Sequence, residues 1–211
     1  SWESQLGFFG RVNYSLKDRY LLEANIRYDG SSKFPTNLQW RWYPSFSAAW
    51  RVMEEPWMEF AKQAVSALKL RASWGSIGDQ TVPSNLYVPT MSRSELAWVM
   101  SGAKLVYYGT PAAVSDAITW QDIVTLDFGV DASFFADGAL SVTFDWFQRD
   151  TDNMLVPMEG ISYTFGTSAP KGNYGSFRTR GWELAVNYGH QFSNGLTLTV
   201  DAALADALTK V

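Results

Sequence analysis

Few side chains in this sequence are of the kind that make and break bonds. The one histidine, His190, lies in "HQFSNG"; the chain has no cysteine and no second histidine to share a metal or activate a nucleophile. A solvated turn residue is the simpler expectation. "GSIGDQ" at 75–80 has two glycines but lacks the Lys-Ser/Thr of a phosphate-cradling loop, so loop-forming glycine is the better reading. "DTDN" at 150–153 spaces its oxygens closely enough to touch calcium in a loop, without the remaining ligand spacing of a dedicated site. Asp127 and Asp131 share one face of an extended segment, but four residues of strand separate them by ~13 Å, too far for a paired-carboxylate hydrolase. No catalytic residue, metal site or cofactor is expected, and the protein does not read as an enzyme.

What these charges do depends on the elements that carry them. Arg11, Glu23, Arg27, Arg51, Lys69, Arg71, Asp127, Asp131, Asp145, Glu183 and Asp201 all occupy odd positions in segments whose even positions are apolar. Period-2 alternation of this kind marks strands, and it gives about eight of them. The first runs near Leu6–Leu16, with Leu6, Phe8, Val12, Tyr14 and Leu16 on one side. "KDR" turns the chain into Tyr20–Tyr28. A third strand carries Trp42, Phe46, Ala48, Trp50 and Val52, and "LKLRASWG" forms the fourth. Between these two, "MEEPWMEFAKQAVSA" reads as a short helix near Pro56–Ala64, since proline suits a first helical turn. Further strands are expected near Val124–Phe134, at Leu140–Trp146, at Trp182–Tyr188 and at Leu196–Leu204. Regions 76–119 and 150–179 read as long loops. The segments 136–139 ("ADGA") and 191–195 read as short turns, the former with Asp-Gly chemistry.

Connections therefore alternate, long at one end of the strands and short at the other. The apolar face is also layered. Its middle is largely aliphatic (Ala24, Ala48, Leu70, Ala72, Val130, Leu184, Leu198), while Tyr14, Tyr20 and Tyr188 lie near the short turns. Tyr28, Trp42, Trp74, Trp146 and Trp182 lie near the long loops. Two aromatic girdles around an aliphatic band, with short turns at one end, are the pattern of a transmembrane β-barrel. Composition agrees: of 211 residues 46% are hydrophobic, 16% aromatic and only 18% charged. The net charge of -4 argues against nucleic acid as a partner, which calls for a basic patch.

The segments "KDRYLLEANIRYDGSSKF", "YPSFSAAWRV", "LKLRASWGSIGDQ", "ITWQDIVTLDFGVDASFF", "LSVTFDWFQRDTDNML" and "RGWELAVNY" together resemble the barrel of SusC/RagA-type TonB-linked outer-membrane transporters. The resemblance implies import of a nutrient, commonly an oligosaccharide and in some members a peptide. It implies a SusD-like surface lipoprotein as lid, energy through TonB, and outer-membrane lipid around the wall. The plug domain, the TonB-contacting segment and an aromatic-ended last strand are not seen, and plugged transporters have roughly 22 strands. Residues 1–211 are therefore expected to be part of one transmembrane barrel domain, an open internal segment of an all-β antiparallel barrel. The charged odd positions named above would then face the lumen, holding water and gripping a plug. Trp40, Trp98, Tyr107 and Tyr108, read as loop residues, could stack on sugar rings, with ordinary loop packing the alternative for each.

Two other readings compete. A self-contained barrel of about eight strands with a structural or adhesive role would pair its first strand with its last. A soluble carbohydrate-binding β-sandwich would keep the alternation but has no reason to segregate its long loops.

Overall fold

The computed structural model describes residues 3–211 except 101, 116, 136, 137 and 194, and only the backbone of Tyr163. Ten strands follow one another: β1 (Gln5–Leu16), β2 (Tyr20–Ser31), β3 (Trp40–Arg51), β4 (Val65–Asp79), β5 (Arg93–Met100), β6 (Ala103–Tyr108), β7 (Gln121–Phe134), β8 (Leu140–Pro157), β9 (Lys171–Gln191) and β10 (Thr197–Lys210). Eight of them form one sheet in the order β1-β2-β3-β4-β7-β8-β9-β10, with every neighbouring pair antiparallel. β5 and β6 form a separate hairpin. β1 and β10 are the two edges; among the described residues no ladder joins them, so the sheet is an open wall.

Register decides which side chains share a face, because a slip of one residue would exchange the two faces of a strand. One row of partners runs Leu16, Tyr20, Trp50, Leu70, Val130, Phe144, Leu184, Leu204, and every member is even-numbered. Through the middle of all eight strands, then, the even positions form one face and the odd positions the other; the parity breaks only at Val65 on β4 and near Met154 on β8. The same row starts at the turn end of β1 and finishes seven residues into β10. Taking the short turns as level, that is about 23 Å of climb over seven strand spacings of about 4.8 Å, a tilt of about 35°. A sheet closing into a barrel needs such a tilt.

Local chemistry sets the ends of these elements. At the β1–β2 turn Lys17 and Asp18 both have φ of 52°, and the Arg19 N–H donates to the Leu16 carbonyl at 3.0 Å. Two left-handed residues in succession make the turn whose twist matches a hairpin. β3 stays beside β2 along its length, but its ladder to β4 stops at Ser45↔Gly75. Pro44 stands next in line and has no N–H to donate, so the strands part above it. Phe34, Tyr43, Ile118 and Trp120 fill the space at that end as a small buried core. Val82, Leu86, Tyr87 and Leu155 pack around them.

Several expectations need correcting. The region 150–179 is mostly not loop: β8 continues to Pro157 and β9 begins at Lys171, with an irregular register where Asn153 takes a φ of 59°. Polar residues occupy both faces there, so alternation of hydrophobicity could not reveal the strand. The region 76–119 contains the end of β4 and the β5–β6 hairpin. The third strand ends at Arg51, and Val52 is instead buried in a 3-10 turn, Val52–Glu54. The expected helix is a 3-10 helix, Pro56–Ala61, with its proline in the first turn as anticipated. Of the short turns, 136, 137 and 194 lie outside the described residues. Antiparallel pairing puts the connections after β2, β4 and β8 at one end and those after β1, β3, β7 and β9 at the other.

Candidate functional site

The odd-numbered face is a charged, hydrogen-bonded surface, and its centre is Arg71 on β4. Its Nε and Nη2 donate to the two carboxylate oxygens of Asp131 at 2.8 and 3.0 Å, and Nη2 also reaches Asp145 at 2.8 Å. The second contact spans an intervening strand, because the residue between Arg71 and Asp145 in the ladder is Gly129. A Cβ at Gly129 would strike both the Asp145 carboxylate and the Arg71 guanidinium. The glycine therefore opens a passage for a charge-assisted network across three strands. Asp127 lies two residues along β7 from Gly129, and Glu183 sits directly opposite Asp145 on β9.

Toward the β1 edge, Arg11 donates to Asn25 at 2.7 Å and lies 3.7 Å from Glu23, while Asn25 donates to Glu23 at 2.8 Å. Arg27 pairs with Asp29 at 3.1 Å. Arg51 and Lys69 are cross-strand partners at the turn end. Toward the β10 edge, Asn187 donates to Asp201. All eleven charges named from the sequence thus share one face, five cationic and six anionic. Such a balance makes a wet, hydrogen-bonding surface of nearly even charge.

The loop end carries a second polar system. Arg41 meets Asp122 at 2.7 Å, and Asn153 donates to the same carboxylate at 2.7 Å. Asn173 accepts from the Thr119 N–H and donates to the Thr119 and Asn153 carbonyls, pinning the approach to β7 against β8 and β9. Asp150 takes hydrogen bonds from Arg178 and Gln148. The Asp150 carboxylate and the Asn153 carbonyl are thus engaged, and "DTDN" lies within β8 rather than in a loop. No group of three or more histidine, cysteine or acidic side chains able to hold a metal occurs among the described residues.

The four aromatic loop candidates do not meet. Trp40 is not in a loop: it opens β3 on the even face and stacks on Tyr28 at 4.8 Å and Phe8 at 6.4 Å. It therefore belongs to the upper aromatic girdle with Trp42, which stacks on Tyr28 at 4.2 Å. Trp98 lies on β5 and Tyr107 and Tyr108 on β6, all exposed. Successive strand residues point to opposite sides, so the two tyrosines do not form one stacking platform.

No alternation in the sequence marks the buried core of Phe34, Tyr43, Ile118 and Trp120. The Trp120 indole N–H donates to the Gln39 carbonyl at 3.2 Å, joining segments 81 residues apart. The glycines of "GSIGDQ" differ from the loop expected of them. Gly75 and Gly78 are strand residues, and a Cβ at Gly78 would collide with the Tyr43 ring and hydroxyl. Neither glycine serves a loop; Gly78 makes room for Tyr43.

Comparison with known proteins agrees with this architecture. The family described as "TonB dependent receptor-like, beta-barrel" matches residues 3–210. The TonB-dependent receptor SusC of Bacteroides thetaiotaomicron is 32% identical over 186 residues, covering 86% of this chain and 18% of that protein. A TonB-dependent receptor of Formosa agariphila is 32% identical over 180 residues, covering 85% of this chain and 18% of the receptor. Among solved structures, the RagAB peptide transporter superposes with a TM-score of 0.83 at 21% identity, over 99% of this chain and 22% of that one. The chain thus spans about a fifth of the length of the relatives it matches. A tilted antiparallel wall with one apolar face, girdled by aromatic rings, carries this match from end to end: the chain belongs to the TonB-dependent receptor β-barrel family, SusC/RagA-like, of the bacterial outer membrane.

Proposed function

We propose that this chain forms part of the wall of a SusC-type importer that brings a polar nutrient across the outer membrane. Residues 1–211 act as part of one transmembrane barrel domain, with the odd-numbered face toward the lumen and the even-numbered face in lipid. The observation that carries the reading is the even/odd register kept through the middle of all eight strands, which gathers Arg11, Arg71, Asp131, Asp145 and their neighbours on one side. A water-filled interior accommodates such charges, whereas an arginine or lysine facing hydrocarbon at midplane costs about 2–4 kcal/mol.

An oligosaccharide is the cargo that best fits a charge-balanced, hydroxyl- and amide-rich wall, and it is the cargo that the SusC/RagA resemblance most commonly implies. A peptide is the second choice, supported by the RagAB likeness. TonB supplies the energy through parts of the transporter outside this segment. A SusD-like lipoprotein lids the loop end, and the β5–β6 hairpin is its natural contact. An isolated two-stranded hairpin is marginal in water, yet this one exposes Trp98, Val99, Met100, Leu105, Val106, Tyr107 and Tyr108. A partner covering those side chains would stabilise it, and this role replaces sugar stacking for Trp98, Tyr107 and Tyr108.

Deleting the gene of the full transporter and supplying single nutrients tests the reading. Growth on oligosaccharides should fail while growth on monosaccharides persists. Loss of growth on peptides alone would reassign the cargo, and unchanged growth on both would overturn the importer assignment. Removing residues 93–108 from the full protein should release the lid lipoprotein from the purified complex.

A further inference from the structure

Among the connections at the turn end, the one between β3 and β4 stands apart. Its 3-10 helix, Pro56–Ala61, leaves Trp57 59% and Phe60 82% exposed, while Val52 and Met53 just before it are buried. A 3-10 helix has three residues per turn, so residues 57 and 60 lie on one side of it. Glu59 and Lys62, also three apart, take another side and are exposed. The segment is a short amphipathic element whose apolar edge is two aromatic rings.

Its attachment shows which side of the wall it lies on. The Glu55 carboxylate accepts hydrogen bonds from the Tyr20 hydroxyl at 2.7 Å and the Trp50 indole N–H at 3.2 Å, and Arg19 lies 3.4 Å away. Tyr20 and Trp50 are cross-strand partners on the even face, with ring centroids 6.2 Å apart. The connector is thus strapped beneath the apolar face, away from the charged one. A hydrogen bond from the Phe135 N–H to the Ala64 carbonyl at 2.9 Å ties its far end to the tip of β7, where Phe135 is exposed as well.

We propose that residues 52–61 are an in-plane anchor in the periplasmic leaflet, with Trp57 and Phe60 seated at the boundary between headgroups and acyl chains. The occupant of this surface is a glycerophospholipid layer. The anchor continues the lipid-facing wall and rests on that reading of it: the apolar even face lies in lipid, short turns of outer-membrane barrels lie at the periplasmic side, and Tyr14, Tyr20, Trp50 and Tyr188 set the level of the interface. Trp57 follows Glu55 by two residues and so lies at that level, where aromatic rings partition most favourably. In-plane amphipathic segments hold to membranes in this way, apolar edge down and charged edge in the headgroups. The anchor fixes the height of the β3–β4 edge in the bilayer, a role separate from any cargo.

Depth-resolved quenching of the full transporter in nanodiscs tests the proposal. The emission lost in Trp57→Phe isolates the signal of Trp57. Acyl-brominated phosphatidylcholine should quench that signal at least twofold, and aqueous iodide should leave it nearly unchanged. Quenching by iodide and not by bromine would overturn the proposal; quenching by neither would mean that protein covers the ring, and would overturn it too. A spin label at Phe60→Cys, with any other cysteine of the full protein replaced, gives an independent measure if Trp57→Phe does not fold. The label should be relaxed by oxygen and shielded from a water-soluble nickel chelate, and a label at Lys62→Cys should show the reverse. Equal nickel accessibility at both positions would refute the anchor.

Discussion

The middle of the sheet and its loop end follow different rules. Between the level of Tyr14, Tyr20 and Tyr188 and the pair Trp146–Trp182, the even positions carry no charge and every charged side chain sits at an odd position. Just beyond Trp146–Trp182 that rule stops. Gln148, Asp150, Arg178 and Arg180 are even-numbered, yet they are charged or polar and bond to one another, with Arg180 to Gln148 at 2.8 Å and Arg178 to Asp150 at 3.1 Å. On β10, Asp206 stands directly opposite Trp182 and Lys210 opposite Arg178. The boundary of the hydrocarbon is therefore readable to within a residue or two. Inside it, lipid enforces alternation; outside it, water bathes both faces and specific packing decides the structure.

The largest test of this contrast is at the loop end, where stability should come from an ordinary buried core. Trp120→Ala should cost the loop region about 3–5 kcal/mol, because the ring is 2% exposed and packs on Phe34 at 4.9 Å between centroids. Hydrogen exchange should show the regions around 31–39 and 80–120 opening while the lower strands stay protected. Global unfolding of the barrel instead would mean that the two regions are not separable.

Inside the lipid band the same size of effect should depend on parity alone. Leu70→Arg or Val186→Arg should lower bilayer refolding stability by about 2–4 kcal/mol, while Ser73→Arg, on the odd face, should cost less than about 1 kcal/mol. Equal losses would show that the faces are exchanged. A smaller effect is expected within the odd face itself. Arg71→Met should destabilise by about 1 kcal/mol, since its partners are partly exposed and surface ion networks are screened. The loss should shrink as salt is raised, and a loss insensitive to salt would point to packing rather than charge.

The smallest effect concerns the strap at the turn end. The Tyr20 hydrogen bond holds the Glu55 carboxyl below its ordinary value of 4.5; burial opposes it, and the Trp50 hydrogen bond and the charges of Arg19 and Lys17 add to the lowering. A carboxylate lowered on folding contributes stability that is full above its unfolded pKa and is lost as pH falls through the folded one. The Trp50 indole N–H resonance should therefore hold steady from pH 7 to about 5 and move below that. In Glu55→Gln it should not titrate at all, and a wild-type shift beginning near neutrality would exclude Glu55 as the titrating group.

Much of this protein was legible in the residues. Alternation, aromatic layering and unequal connections identified a lipid-facing sheet, because a boundary between hydrocarbon and water acts on each side chain singly and so leaves a mark in one dimension. Within the lipid band, the even positions of β1–β4 and β7–β10 carry that mark without reference to any partner. Other features required the folded chain. Trp40 was indistinguishable from a loop aromatic until register set it against Tyr28, and β8 beyond Trp146 had no apolar rhythm to betray it. Gly129 and Gly78 look like flexible glycines, yet one admits Arg71 to Asp145 and the other admits Tyr43. Arg41 finds Asp122 across 81 residues, and Glu55 finds Tyr20 across 35. Contacts of that span depend on strand order and stagger. Those belong to the ladder as a whole, so only the tertiary structure could decide them.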